Sequence, residues 1–147
     1  MKINYLAVLV AAVLHFIIGG VWYGVLFGNQ FIKLIGWSPE KVAQIGNESH
    51  GKEYLIAFVS SLVLVYVLAH FVQYTKAKSA IDGIQTAFWL WLGFVVTTQL
   101  ATVIFEERRL GLYVLNVGYQ FVGCSVAGVL LAVWRPKEVA TPAEQPV

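Results

Sequence analysis

"INYLAVLVAAVLHFIIGGVWYGVLF" runs from Ile3 to Phe27 without an Asp, Glu, Lys or Arg, and His15 is its one histidine. It is long enough to cross a bilayer, for which about 17–25 apolar residues suffice. Lys2 precedes it, as a basic residue precedes a secretory signal. The run is too long for a signal core, and "IIGGVWYG" offers no good small-x-small cleavage site. It reads as a retained first span.

Three further stretches have the same character: Tyr54 to Tyr74, Ile84 to Phe105, and Leu110 to Trp134. The charged residues fall almost entirely between them. Over the 147 residues, 59% are hydrophobic and 12% charged. About 25% charged residues is usual in soluble domains. A soluble chain of this length could not bury so much apolar surface. The five Trp and seven Tyr are rings of the kind that gather at membrane interfaces. The fold class is all-α, an integral membrane bundle of four transmembrane helices over residues 1–134, with a disordered tail over 135–147 that carries Pro136, Pro142 and Pro146. The lipid bilayer is the expected partner. A net charge of +2 gives no reason to expect nucleic acid.

The first loop, Asn29 to Glu53, is the longest. "QFIKLIGW" mixes Phe31, Ile32, Leu34, Ile35 and Trp37 with Lys33, as a segment lying in the interface plane would. "WSPEKVAQIG" reads as a short helix: Ser38 caps it, Pro39 takes the first position and Gly46 ends it. "EERR" is so short that the third and fourth spans must be antiparallel neighbours. Four spans put both termini on one side, with Lys2, Lys76, Lys78, Arg135 and Lys137; the other side holds Lys33, Lys41, Lys52, Arg108 and Arg109. These numbers tie. The first set flanks the spans more closely, so the termini are expected to be cytoplasmic.

Within the first span, Gly20, Gly24 and Gly28 recur every fourth residue, separated by Trp22, Tyr23 and Phe27. In lipid, helices associate by close backbone approach, which small residues at this spacing permit. The glycines are expected to form a packing ridge for another helix, from this chain, a second copy or a partner protein. Cys124, Gly128 and Ala132 offer a second such ridge. Cys124 is alone, has no disulfide partner, and reads as a small buried hydrophobe.

The opposite side of the first helix carries Asn4, Ala11, His15, Gly19 and Trp22. An ionisable group in mid-span is costly and faces the protein interior or a watery cavity. The fourth span presents Asn116, Gln120, Gly123, Ala127 and Trp134 on one stripe; the third presents Gln99, Thr102 and Glu106. Together His15, Gln99, Thr102, Asn116 and Gln120 would make a polar seam. A neutral His15 bonded to Gln99, Gln120 or Asn116 would hold helices in register. A proton-handling or ligand-contacting His15 is the sharper alternative. Glu106 and Arg108 form either a solvated turn or an ionic gate over the seam.

His15, His50 and His70 lack metal-ligand spacing, and no catalytic triad, phosphate loop or HExxH motif is present. No cofactor or metal is implied. The expectation is a binding or permeation component for a small molecule or ion, not an enzyme. The alternative is a structural or accessory subunit docking through the glycine ridge.

"VWYGVLFG", then "FIKLIGWSPEKV", then "WLGFVVTTQLATVIFEERRLGLYVLNVGYQFVG" resemble a bacterial family of four-span membrane proteins known as domain of unknown function seventeen sixty-one. The resemblance covers about residues 3–134. It rests most on Trp22, Tyr23, Gly24, Phe27 and Gly28, and on Phe105, Glu106, Arg108, Asn116, Gly118 and Tyr119. The chain departs from it at Val25, where proline is common, and at Phe31, where tryptophan is common. The resemblance implies a four-helix membrane fold and no activity.

Overall fold

A computed structural model describes residues 3–134, so the expected tail over 135–147 lies outside the described residues. Four helices are long and apolar enough to cross a membrane: α1 (Tyr5–Leu26), α4 (Gly51–Tyr74), α5 (Ala80–Phe105) and α6 (Leu110–Val133). Two short helices, α2 (Gly28–Ile35) and α3 (Pro39–Asn47), lie between α1 and α4. The spans expected from the sequence are all present, with ends shifted by a few residues. The chain is an integral membrane bundle.

Each boundary has a local cause. Asn4 caps α1, its Oδ1 accepting from the Ala7 N–H at 3.2 Å, while its Nδ2 donates to the Trp134 carbonyl at 3.2 Å. That second bond joins the two ends of the described chain, so both lie on one face of the bundle, hereafter the termini face. Gly36, at φ +80°, ends α2 in the left-handed conformation that glycine adopts without strain. Ser38 caps α3 with Pro39 at its first position, as expected; the helix runs on through Gly46 to Asn47. A capping box of Ser79 and Asp82 starts α5. On the opposite, loop face, Arg109 donates to the Lys33 carbonyl at 2.8 Å and pins α2 against the base of α6.

The centre of the bundle is α6, which packs against α1, α4 and α5; α4 and α5 touch only lightly. The core is built of small side chains: Ala7, Ala11 and Ala12 of α1, Ala69 of α4, Ala87 of α5, and Ala127 and Ala132 of α6, with Val65, Val72, Leu68 and Leu131 between them. Small residues let helix axes approach where water does not drive association. The limit is reached between α5 and α6. A Cβ added to Gly83 would fall 2.4 Å from the Gly128 carbonyl oxygen, and one added to Gly128 would fall 2.5 Å from that of Gly83. The expected ridge of Cys124, Gly128 and Ala132 is thus a buried packing surface.

Neither Gly20 nor Gly24 has any atom within 4 Å of where a Cβ would stand, and Gly28 meets only the Tyr23 carbonyl of its own chain turn. Among the described residues, no helix packs on this ridge. A helix of this chain is therefore not what the ridge receives among the described residues. A turn of π-helix over Val21–Leu26 interrupts α1 here, matched by another over Trp91–Val96 inside α5. A π turn holds an extra residue, which rotates everything beyond it by about 100° relative to a regular α-helix.

Candidate functional site

The π turn of α1 brings two consecutive side chains onto α6. Trp22 donates its indole N–H to the Leu115 carbonyl at 3.1 Å, its ring resting where a Cβ on Gly118 would stand 3.3 Å away. Tyr23 donates to Asn116 Oδ1 at 2.7 Å. In a regular helix neighbouring residues diverge by about 100°, and both could not reach one partner as readily. On the other side of α6, Trp91 of the second π turn donates to the Val117 carbonyl at 2.7 Å. Two tryptophans thus hold one segment of α6 from either side. Both begin a Trp-x-Gly sequence, Trp22-Tyr23-Gly24 and Trp91-Leu92-Gly93. Just past the second, the hydroxyls of Thr97 and Thr98 donate to the carbonyls of Gly93 and Phe94, supplying donors where the π turn disturbs the regular ladder.

One level deeper in α1 lies His15, only 3% exposed. Its Nδ1 is 3.0 Å from Ser61 Oγ on α4 and 3.2 Å from the Tyr119 hydroxyl on α6. Its Nε2 is 3.4 Å from Gln120 Oε1 on α6. Three helices therefore meet at one imidazole. Space for the ring comes from Gly123, where a Cβ would fall 2.6 Å from His15 Cδ2. Gly19 does the same for Tyr119, whose hydroxyl stands 3.0 Å from its would-be Cβ. Tyr23 and Tyr119 pack edge to face with centroids 5.4 Å apart, which joins the Trp22-Tyr23 layer to the His15 layer.

A cavity of about 800 Å³ reaches this cluster from the loop face. It runs between the second half of α1 and the first half of α4, under α2 and the segment leading to α3. Ser61 and Tyr119 line it and also contact His15. The ridge glycines Gly20, Gly24 and Gly28 line it too. Their missing side chains leave open volume instead of admitting a helix.

The expected seam is thus partly assembled. His15 and Gln120 meet. Asn116 is bound by Tyr23 rather than by His15. Thr102 donates to the Gln99 carbonyl on its own helix at 2.7 Å, and neither Gln99 nor Thr102 bonds to His15, Asn116 or Gln120 among the described residues. Gln99 and Thr102 do share the regular helical segment Thr97–Phe105, but that segment is bonded within itself and does not join the His15 cluster. Glu106 and Arg108 pair at 2.8 Å with side chains 53% and 56% exposed. They form a solvated turn, the first of the two readings of this segment, and do not line the cavity. Two contributors escaped the sequence reading. Ser61 carried a signal in the serine pair "VSSL" of an otherwise apolar span, and Trp91 carried one in the repeated Trp-x-Gly. His70 bonds only to the Tyr66 carbonyl of its own helix, and no group of three His, Cys, Asp or Glu is positioned to hold a metal among the described residues.

Comparison with known proteins agrees with the sequence resemblance. No curated protein and no solved structure matches the chain. Among the residues that carried the resemblance, Trp22 and Tyr23 on α1 touch Asn116, Gly118 and Tyr119 on α6. Residues 6–132 match the family described as "Protein of unknown function (DUF1761)", and the chain belongs to that family.

Proposed function

We propose that this membrane protein binds a small molecule in the cavity between α1 and α4, with the His15 cluster as its inner wall. The observation that carries the reading is the cavity itself, about 800 Å³ and ending on Ser61 and Tyr119. Ligand pockets span about 300–1,000 Å³ and combine apolar walls with a few converging polar groups. Beyond His15 toward the termini face, Ala7, Ala11 and Ala12 are fully buried, and Ala127 and Ala132 are 1% exposed. A chamber closed at one end supports binding over a continuous pore. No enzymatic activity is part of the proposal. Basic residues close to the span ends favour cytoplasmic termini, with the cavity opening on the other side; reporter fusions at Lys78 and Val147 giving non-cytoplasmic signals would reverse this.

A thermal-shift screen in lipid nanodiscs tests the reading. Binders should raise the melting temperature of the wild type, and Gly24→Phe, whose ring fills the cavity, should lose the shift. A broad set of small amphipathic compounds that shifts neither protein, or both alike, overturns it. The second reading, docking of a partner helix on the ridge, has in its favour the open surface over Gly20 and Gly24. A change in particle size for Gly24→Phe would select it.

A further inference from the structure

The walls of the cavity define its ligand more closely. This step rests on the binding reading above. No Asp, Glu, Lys or Arg lines the cavity. An ion held there would lose water and gain no counter-charge, which is costly at membrane depth. The walls instead carry aromatic rings, among them Phe16, Tyr23, Phe31, Trp37 and Tyr54. Phe31 stands edge to face with Trp37 at 5.8 Å and with Tyr23 at 5.2 Å. Such surfaces suit a flat ring.

The inner end has a hydrogen-bond donor to spare. With Nε2 donating to Gln120 Oε1, His15 Nδ1 offers one lone pair to two hydroxyls, Ser61 at 3.0 Å and Tyr119 at 3.2 Å. Only one of them can be well bonded to it. The displaced Tyr119 hydroxyl has a longer alternative, the His15 carbonyl at 3.4 Å; Ser61 has no second bond among the described residues. In the other tautomer Nδ1–H is the donor, and both hydroxyl protons are released. Either way at least one donor facing the cavity lacks a good acceptor, and the ligand should supply it.

The side of the cavity is open at the level of the spans. Gly20 and Gly24 leave no wall, Val25 is 77% exposed and Tyr54 is 62% exposed. A molecule dissolved in the bilayer can pass between α1 and α4 with its tail left in lipid.

We infer that the cavity takes a neutral, lipid-soluble ring compound bearing a carbonyl, of the quinone head-group class, which comes in from the bilayer over Gly20 and Gly24 and accepts a hydrogen bond from Ser61 or Tyr119. The test uses the full chain in nanodiscs and three probes: decylubiquinone, decylbenzene (a similar tail on a ring without carbonyls) and tetraphenylphosphonium. Binding of each probe is measured by equilibrium dialysis against empty nanodiscs. Decylubiquinone should bind saturably and at least about tenfold more tightly than decylbenzene, one good hydrogen bond being worth about that factor. The Ser61→Ala, Tyr119→Phe double variant should lose most of that preference, and Gly24→Phe should bind neither. Equal affinity for decylubiquinone and decylbenzene, or a preference kept by the double variant, overturns the carbonyl assignment while leaving the binding site. Tight binding of tetraphenylphosphonium alone, lost in Gly24→Phe, overturns the neutral class but not the site. No saturable binding of any probe overturns the inference for this ligand class, and the broader screen then decides the binding reading independently. If the double variant loses its fold by thermal melt, Tyr119→Phe alone carries the same comparison.

Discussion

Two glycine patterns in this chain look alike in the sequence and behave in opposite ways. Where α5 crosses α6, Gly83 and Gly128 bring the two backbones together, and a Cβ on either would overlap the other's carbonyl. Along α1, Gly20 and Gly24 touch nothing and line a cavity. A glycine removes a side chain; whether a backbone or empty space fills the vacancy depends on where the neighbouring helix runs. At Gly128 the partner helix lies on the glycine face. At Gly24 the π turn sends Trp22 and Tyr23 to α6, and the glycines are left facing the gap toward α4.

The comparison is broken most sharply at the crossing. Gly128→Leu should force α5 from α6, because the Gly83 backbone facing it cannot give way as a flexible side chain would. It should cost about 3 kcal/mol or more, at the upper end of overpacking. The expected readout is loss of monodisperse protein in detergent. A well-folded variant with an unchanged melt would show that the crossing is not as tight as described.

His15→Leu comes next. It leaves Ser61, Tyr119 and Gln120 without their shared partner in a buried site, for about 1–3 kcal/mol. His15→Gln retains an amide and should cost clearly less. Thermal melts of the two variants in the same nanodiscs check the difference. Equal losses would mean that the ring's shape, and not its hydrogen bonds, holds the three helices.

Trp22→Phe and Trp91→Phe probe the clamp on α6. Each keeps a large ring and removes one N–H donor, so each should cost about 1 kcal/mol. Amide hydrogen exchange should rise locally on α6 near Leu115 and Val117. A change spread over the whole bundle would argue against a local clamp.

The smallest effect is expected at the other glycine pattern. Gly24→Leu adds a side chain where no atom stands within 4 Å, so stability should move by about 0.5 kcal/mol or less. Particle size should not change. A large destabilisation would mean that a helix does rest on this ridge, and the contrast with Gly128 would fall.

The sequence by itself determined the number and approximate limits of the spans, because the scarcity of charge over a bilayer's length is a property of composition along the chain. It also pointed to His15 and Gln120, since an imidazole in lipid must find polar company. The partner set was beyond its reach. Gln99 and Thr102 share a helix face, but a shared face within one span does not say which neighbouring span it meets, and neither bonds to the His15 cluster among the described residues. Ser61 was passed over because the pair Ser60-Ser61 in an apolar span bears no mark of which serine faces the bundle. The tertiary structure decided both matters. A π turn is maintained by what its side chains reach, here the α6 carbonyls of Leu115 and Val117, and those bonds exist only once three helices stand side by side. The same packing decided that one set of glycines closes a contact and the other opens a cavity.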